Sequence, residues 1–310
     1  MTKNPALERV RAGIARVLRG KPEAIESVLV GLVAGGHVLF EDVPGVGKTT
    51  LAKALSRSFE LKLSRVQLTP DLLPSDILGA QVLDPRAGTF TFHRGPIFAN
   101  VVLADEINRA SPRTQSALLE AMSEGQVTVD DVTHALPRPF FVIATQNPSD
   151  YHGTYPLPEA QLDRFMLRVG VGYPSEAEEL AMVFAQQRES AVDHVEVAAT
   201  GDELIAMQRE VQALTVSDGV GRYLLAIVRG TRQHEHLDVG VSPRGTIALF
   251  RACQGRAYVR GRAYVSPEDV QALASPVLAH RVQLTPQARY GGVAAEAVIG
   301  KLLASLPVPT

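Results

Sequence analysis

The stretch Val43-Pro44-Gly45-Val46-Gly47-Lys48-Thr49-Thr50 determines the fold that we expect for this chain. It follows the apolar run 37–40 and precedes the helix-like segment 51–55, the strand, loop and helix order of a phosphate-binding loop. Glycines let a backbone wrap around a triphosphate, and the N-terminus of the following helix favours an anion. The stretch is therefore predicted to bind ATP or GTP, with Lys48 at the β- and γ-phosphates and Thr49 on Mg²⁺.

The loop departs from the full pattern at one position. Asp42 stands where the first glycine is usual, five residues before Gly47. A carboxylate near a triphosphate is unfavourable unless its side chain points away. A glycine-rich turn that caps a helix by chance is the alternative interpretation, and further motifs are needed to decide.

The composition is that of a globular protein. The 310 residues are 45% hydrophobic and 21% charged, and the net charge of −2 gives no overall bias toward nucleic acid. Cys253 is the only cysteine, so a reducing compartment fits. No signal-type apolar core follows Met1, and the apolar region 28–40 is too short to span a bilayer. We expect a cytoplasmic protein that contacts membranes only through a partner.

Apolar runs alternate with helix-like segments through the first half of the chain. Runs that are apolar almost throughout are typical of parallel strands covered on both faces, and they occur at 37–41, 62–68, 101–105, 139–146 and 166–172. Two hairpins are predicted between them, at 81–92 and 126–133. Phe90 and Phe92 share one face of the first hairpin and are expected to pack in the core. The fold class is therefore a doubly wound α/β domain with two inserted β-hairpins.

Helices are predicted on both sides of this strand-rich region. Two precede it, at 5–19 and 22–34. After residue 173 the pattern becomes helical, with helix starts expected at Ser175, Ser242 and Ser266. The predicted domains are an α/β ATPase core at 1–173 and a smaller all-α lid at 174–310.

Polar residues end two of the predicted strands. Asp105 and Glu106 follow the run from Val101, and downstream of a phosphate loop they are expected to hold the Mg²⁺ shell and to activate a water, respectively. Asn147 ends the run from Phe140, where it would hold the attacking water beside the γ-phosphate. A solvated acidic strand end and a turn Asn before proline are the alternatives, and the order of the motifs argues against both.

Two arginines are candidates for completing the site. Arg164 follows a short helix-like stretch and would reach the γ-phosphate of a neighbouring subunit; a surface Arg paired with Asp163 or Glu159 is an equal alternative. Arg244 lies in a helix start, where a cation is disfavoured, so we expect it to point back toward the nucleotide.

Two other groups of polar residues receive no catalytic role. Arg109 and Arg113 are expected either at a subunit interface or on a solvated helix face. The pair His280-Arg281 is interpreted as structural.

Taken together, five motifs resemble those of the MoxR-type AAA+ ATPases, and the resemblance covers nearly the whole chain. They are GVGKTT (45–50), LADEINRA (103–110), ATQNP (144–148), LPEAQLDRF (157–165) and SPRG (242–245). The resemblance implies that Asp105 and Glu106 form Walker B, Asn147 is sensor 1, Arg164 the arginine finger and Arg244 sensor 2.

The same resemblance implies an assembly and a function. The expected assembly is a hexameric ring that binds ATP and Mg²⁺ between subunits. The expected function is chaperone-like remodelling or maturation of client protein complexes, often with a partner that carries a von Willebrand A-type domain. No aromatic-apolar-glycine pore loop occurs between residues 69 and 100, so partial remodelling rather than full threading is predicted.

Other functions stay open at this point. One is the motor subunit of a magnesium-chelatase-like metal insertase, and another is a nucleotide-switched scaffold with little turnover. A DNA helicase or clamp loader is a weaker alternative, because the inserted hairpins carry only scattered basic residues.

Overall fold

The computed structural model describes residues 4–43, 45–147, 154–185 and 194–309. Its helices are α1 (Pro5–Val17), α2 (Pro22–Val33), α3 (Lys48–Ser58), α4 (Pro74–Leu78), α5 (Pro112–Glu124), α6 (Glu159–Leu162), α7 (Glu176–Ala185), α8 (Gly201–Gln212), α9 (Asp218–Thr231), α10 (Pro243–Val259), α11 (Pro267–Leu278), α12 (Pro286–Tyr290) and α13 (Ala295–Ser305). Its strands are β1 (Val38–Glu41), β2 (Leu63–Gln67), β3 (Gly79–Asp84), β4 (Thr89–Arg94), β5 (Val101–Asp105), β6 (Gln126–Val129), β7 (Val132–Ala135), β8 (Phe141–Gln146), β9 (Leu167–Val169), β10 (Leu237–Val239) and β11 (Gln283–Leu284).

A five-stranded parallel sheet forms the centre of the molecule, in the order β2-β5-β8-β1-β9. Every residue of β5 is buried, and so is all of β8 except its last residue, which explains their apolar sequences. The five strands expected from the sequence are confirmed. Parallel strands end at the same edge of a sheet, and β2, β5, β8 and β1 bring their polar last residues together there.

The last strand of the sheet is shorter than the sequence predicts. β9 ends at Val169, whereas the apolar run continues to 172. The backbone N–H groups of Val171 and Gly172 instead donate to the carboxylate of Asp42, each at 2.6 Å. Because these donors face a side chain, the residues that carry them no longer belong to the ladder.

Both expected hairpins are present, and they contact each other. β3 pairs antiparallel with β4, and β6 with β7. Phe92 on β4 stacks on His134 of β7 with ring centroids 4.0 Å apart, and it also packs edge-on against Phe98. Phe90 does not join this cluster: its side chain is 69% exposed, so the expectation that both phenylalanines are core residues is wrong for Phe90.

The second half of the described chain is helical, as predicted. Helices α7, α10 and α11 begin one residue after Ser175, Ser242 and Ser266, and the Ser242 hydroxyl accepts from the N–H of Gly245 at 3.1 Å. A short antiparallel ribbon, β10 with β11, is added to this helical region. None of the helices in the described ranges is both long and apolar enough to cross a membrane.

The two N-terminal helices pack against both halves of the molecule. Leu18, directly after α1, lies against the phosphate loop, and α1 packs on α3. The Gln208 amide of α8 donates to the carbonyl of Leu32 in α2 at 2.8 Å, and Asn4 donates to the Tyr258 hydroxyl at 2.8 Å. The division of the chain at residues 173 and 174 stays a prediction.

Candidate functional site

The glycine-rich loop joins β1 to α3 at the carboxyl edge of the sheet. Gly45 and Gly47 have φ angles of 85° and 97°, which side chains other than glycine rarely adopt. A Cβ at Gly47 would also lie 2.7 Å from the Leu18 Cδ1 atom, whereas one at Gly45 would meet no atom within 4 Å. The loop can therefore bring its backbone close to a ligand, as the sequence predicts. Pro44 lies outside the described residues.

A cleft of about 290 Å³ opens beside this loop. Its lining includes most of the residues that the sequence nominates, together with several polar neighbours. The lining residues are Asp42, Gly45, Gly47, Lys48, Thr49, Thr50, Arg65, Gln67, Asp105, Glu106, Thr145, Gln146 and Asn147. Four separate segments of the chain thus meet at one edge of the sheet.

Lys48 is half-buried at the first position of α3. Its Nζ donates to the carbonyl oxygen of Asp42 at 2.9 Å. Burial lowers the pKa of Lys48, and the negative charges of Asp42, Asp105 and Glu106 oppose that shift. A cation that keeps donor capacity beside a helix N-terminus is suited to a phosphate group.

The Asp42 carboxylate accepts hydrogen bonds from backbone N–H groups of the loop and of the segment after β9. Its Oδ2 accepts the two N–H groups of Val171 and Gly172, and its Oδ1 accepts the N–H of Val43 at 2.8 Å. The three donors occupy both oxygens. The departure from the glycine pattern therefore does not aim a carboxylate at the phosphates.

Asp105 and Thr49 both line the cleft and supply oxygen ligands. Asp105 is buried; its Oδ2 accepts from Arg65 Nε at 2.7 Å, and its Oδ1 accepts from the Thr145 hydroxyl at 3.3 Å. Mg²⁺ that arrives with a nucleotide needs only one or two protein oxygens beside the phosphates. One carboxylate and one hydroxyl in the same cleft fit that requirement.

Glu106 is held by three neighbours. Its φ of 57° lies in the left-handed region, and its N–H donates to the Thr145 hydroxyl at 2.9 Å. Its Oε2 accepts from Gln67 Nε2 at 2.8 Å and pairs with Arg109 Nε at 3.3 Å. The carboxylate therefore has a fixed position at the cleft, as a group that orients water needs.

Asn147 lies at the end of β8, in the lining of the same cleft. Its backbone carbonyl accepts from Asn108 Nδ2 at 3.5 Å. Sequence reasoning nominated Asn147 but missed Thr145, although both occur in the same motif. It also missed Arg65 and Gln67, which both lie on β2, with Gln67 as its last residue. The rule that found Asp105, a polar residue at the carboxyl end of a predicted strand, would have found Gln67.

The two nominated arginines lie outside this lining. Arg164 Nη1 donates to the Leu119 carbonyl at 2.6 Å and to the Ser123 hydroxyl at 2.7 Å, both on α5. Arg164 therefore bonds to α5 and not to Asp163 or Glu159, the alternative partners considered from the sequence. Arg244 is exposed in the first turn of α10. The structure thus separates both arginines from the residues around the loop.

The two arginines that follow Asp105 and Glu106 in the sequence lie in different surroundings. Arg109 joins the site through its ion pair with Glu106, whereas Arg113 is exposed near the start of α5. The exposure of Arg113 fits either interpretation given for this pair, a subunit interface or a solvated helix face.

A phosphate loop on a parallel sheet, an acidic strand end and a helical lid define an ATPase of the AAA+ class. Residues 37–167 match the ATPase family associated with various cellular activities (AAA), and residues 229–302 match the AAA lid domain. A crystal structure of a proposed ATPase from Cytophaga hutchinsonii is similar, with a TM-score of 0.92 and 35% identity, over 98% of this chain and 95% of that one.

Relatives that match over most of their length identify the family within the AAA+ class. Chaperone MoxR1 of Mycobacterium tuberculosis is 39% identical over 98% of this chain and 82% of its own. Protein MoxR of Methylorubrum extorquens is 30% identical over 91% of this chain and 88% of its own. The chain belongs to the MoxR family of AAA+ ATPases. The fold and the ATPase activity that the resemblance implied are thereby confirmed.

Proposed function

We propose that this protein hydrolyses Mg²⁺-ATP in a hexameric ring and uses the energy to remodel or mature client protein complexes. The observation that carries the proposal is the grouping of Lys48, Asp105, Glu106 and Asn147 around one cleft, with Arg164 outside it. Such an arrangement supplies the phosphate-binding, metal-binding and water-activating groups for hydrolysis, but no arginine finger that would join Lys48 at the γ-phosphate. A neighbouring subunit would supply that arginine.

Each residue has a role in this proposal. The loop backbone, from Val43 to Thr50, and Lys48 bind the phosphates. Thr49 and Asp105 hold Mg²⁺, which neutralises charge on the β- and γ-phosphates. Glu106 accepts the proton of the attacking water, and Asn147 orients that water.

The two arginines complete the proposed mechanism. Arg164 stabilises the transferred phosphoryl group of the neighbouring subunit's ATP, and such arginines contribute about 10³–10⁵ in rate. Arg244 acts in its own subunit, where loss of the γ-phosphate would change the angle of the lid.

The client and the partner rest on family likeness alone, and the compartment rests on the cysteine content and apolar pattern of the sequence. One relative is named a chaperone, which favours remodelling over metal insertion for this chain. A partner with a von Willebrand A-type domain, no nucleic-acid ligand, and a cytoplasmic location stay predictions. The scaffold alternative predicts tight ATP binding with negligible turnover.

The test is ATP hydrolysis by a mixture of Arg164→Ala and Glu106→Gln subunits. Each variant alone should be nearly inactive. In a mixed ring, an Arg164→Ala subunit keeps its own Glu106 and receives Arg164 from its neighbour. Recovered activity would support a shared site. Mixed assemblies without recovered activity would overturn the assignment of Arg164, and a silent wild-type ring would favour the scaffold.

A further inference from the structure

A lid arginine is almost completely enclosed by the segment that carries Arg164. Arg281 ends the 3-10 turn Ala279–Arg281, and its side chain is only 2% exposed. Its Nε donates to the Asp163 carboxylate at 2.7 Å. Its Nη2 donates to two backbone carbonyls, those of Asp163 at 3.2 Å and Phe165 at 2.6 Å. These contacts bracket Arg164 on both sides.

The third nitrogen of Arg281 completes the enclosure. Its Nη1 donates to the Met166 carbonyl at 3.2 Å and to the carbonyl of Val277, and it lies 2.8 Å from His280 Nε2. We call Arg281, Asp163, Phe165 and Met166 the lid–finger junction. A planar guanidinium presents its donors in a fixed fork, so it fixes the relative position of several acceptors at once. Lysine cannot reproduce that geometry.

The first turn of α10 leaves space for this side chain. A Cβ at Gly245 would lie 2.9 Å from Arg281 Cδ and 2.6 Å from Val241 Cγ1. Glycine inside a helix costs about 0.5–1 kcal/mol relative to alanine, so its presence there has a packing reason. Arg281 therefore lies between the turn that carries Arg244 and the segment that carries Arg164.

The Arg164 side chain is fixed from the opposite side. Its guanidinium is bound to Leu119 and Ser123 of α5, while its flanking backbone is bound to Arg281. The position of Arg164 is thus fixed by α5 through its side chain and by the lid through its flanking backbone. A change in lid position would move the backbone of Arg164.

We propose that Arg281 is a positioning residue that couples the lid of one subunit to the Arg164 that this subunit presents to its neighbour. The inference rests on the proposed trans role of Arg164. Arg281 would therefore serve the active site of the adjacent subunit, whereas Arg244 serves its own. Nucleotide-dependent lid movement in one subunit would be transmitted to hydrolysis in the next.

The test uses Arg281→Met, which keeps an unbranched side chain but removes all its donors. Alone, this variant should lose about tenfold or more in kcat while its affinity for ATP, measured by calorimetry, is unchanged. Mixed one to one with Glu106→Gln subunits, it should recover about one quarter of wild-type activity, since half of the subunits keep Glu106 and half of those have an intact donor.

The mixture distinguishes coupling from a damaged lid. A lid defect acts within the subunit, so it would not be recovered by an intact neighbour, and this result would overturn the inference. The mixture of Arg164→Ala with Glu106→Gln is run beside it. If that mixture also fails, the shared-site mechanism is wrong; if it alone recovers, only the role of Arg281 is wrong.

Two further variants guard against misfolding. Arg281→Lys keeps the charge beside Asp163 and should show the same recovery, with a smaller cost in thermal stability. Arg262→Met removes a lid ion pair to the buried Asp269, at 2.5 Å, without touching residues 163–166. Any loss of activity in Arg262→Met should not be recovered in mixtures. Recovered ATP hydrolysis in mixtures that contain Arg262→Met would show that mixing restores the activity of any lid variant, and it would contradict the inference.

Discussion

The nucleotide cleft and the lid–finger junction use the same kinds of polar group in opposite ways. In the cleft, Lys48 and Glu106 are partly exposed and hold few partners, so each keeps capacity for a ligand. At the junction, Arg281 is enclosed and every nitrogen of its guanidinium already has an acceptor. Lys48 and Glu106 thus keep capacity for a ligand, whereas the Arg281 guanidinium is fully paired and fixes geometry instead.

The largest effect expected in the cleft is at Lys48. Lys48→Ala should weaken ATP binding about 100-fold, because hydrogen bonds to charged groups contribute up to about 3 kcal/mol. Calorimetric titration with ATP measures the loss, and the thermal midpoint should change little. Lys53→Ala, an exposed lysine on the same helix, is the matched control and should bind ATP normally. Equal losses in both variants would show that the helix, not Lys48, is being tested.

His37 extends the comparison to a buried polar group on the sheet. Its Nδ1 accepts from the Val142 N–H at 3.1 Å and its Nε2 donates to the Met122 carbonyl at 3.1 Å, while burial lowers its pKa to about 4. In the unfolded chain His37 has its ordinary pKa and binds a proton at a higher pH than in the folded protein. The free energy of unfolding therefore falls as pH drops below about 6.5, by about 3 kcal/mol near pH 4.

Urea unfolding at pH 7 and pH 4 measures this contribution. His37→Gln should remove it and so flatten the pH dependence relative to wild type. His93→Gln, on an exposed strand position, should leave the dependence unchanged. If His37→Gln and wild type lost the same free energy of unfolding between pH 7 and pH 4, His37 would not be the source of the pH dependence.

Thr145 lies in the cleft lining but is buried, as Arg281 is at the junction. Thr145→Val removes the acceptor of the Glu106 N–H and the donor to Asp105, and an unpaired polar group costs about 1–3 kcal/mol. We expect kcat to fall about 10–100-fold with ATP affinity preserved. Thr145→Ser, which keeps the hydroxyl, should restore most of the rate. A large loss of affinity in Thr145→Val would instead place this residue in nucleotide binding.

Asp42 should show the smallest effect on the nucleotide. Asp42→Ala leaves the N–H groups of Val171 and Gly172 unpaired, so we expect a loss of about 1–2 kcal/mol in the free energy of unfolding. ATP affinity should change less than threefold, roughly 0.6 kcal/mol. Asp42→Asn keeps one acceptor oxygen and should lose less. Much tighter ATP binding in either variant would show that the carboxylate does oppose the phosphates.

The sequence predicts the cleft better than the junction for a physical reason. Asp105 and Asn147 are found because each ends a locally recognisable buried strand, and parallel strands end at one edge. Thr145 and Arg65 act on Asp105 across the strand order β2-β5-β8, which no local pattern encodes. Arg281 and Asp163 are 118 residues apart, and we assigned Arg281 only a structural role.

The hairpins illustrate a second limit of local patterns. Alternation placed Phe90 and Phe92 on one face, which is correct for a strand. Only Phe92 is packed, because the second hairpin brings His134 over it and does not extend to the tip. Periodicity predicts which residues share a face but not how far the neighbouring element extends along it.

The contact of Leu18 with Gly47 has a practical consequence for preparing shorter versions of this protein. The region 37–167 that matches the AAA family begins after α1 and α2. A fragment cut to those limits would lack the helix that packs on α3 and the leucine that lies against the phosphate loop. Such a fragment would expose the apolar side of α3 to water, so the shortest useful ATPase fragment retains residues 4–36.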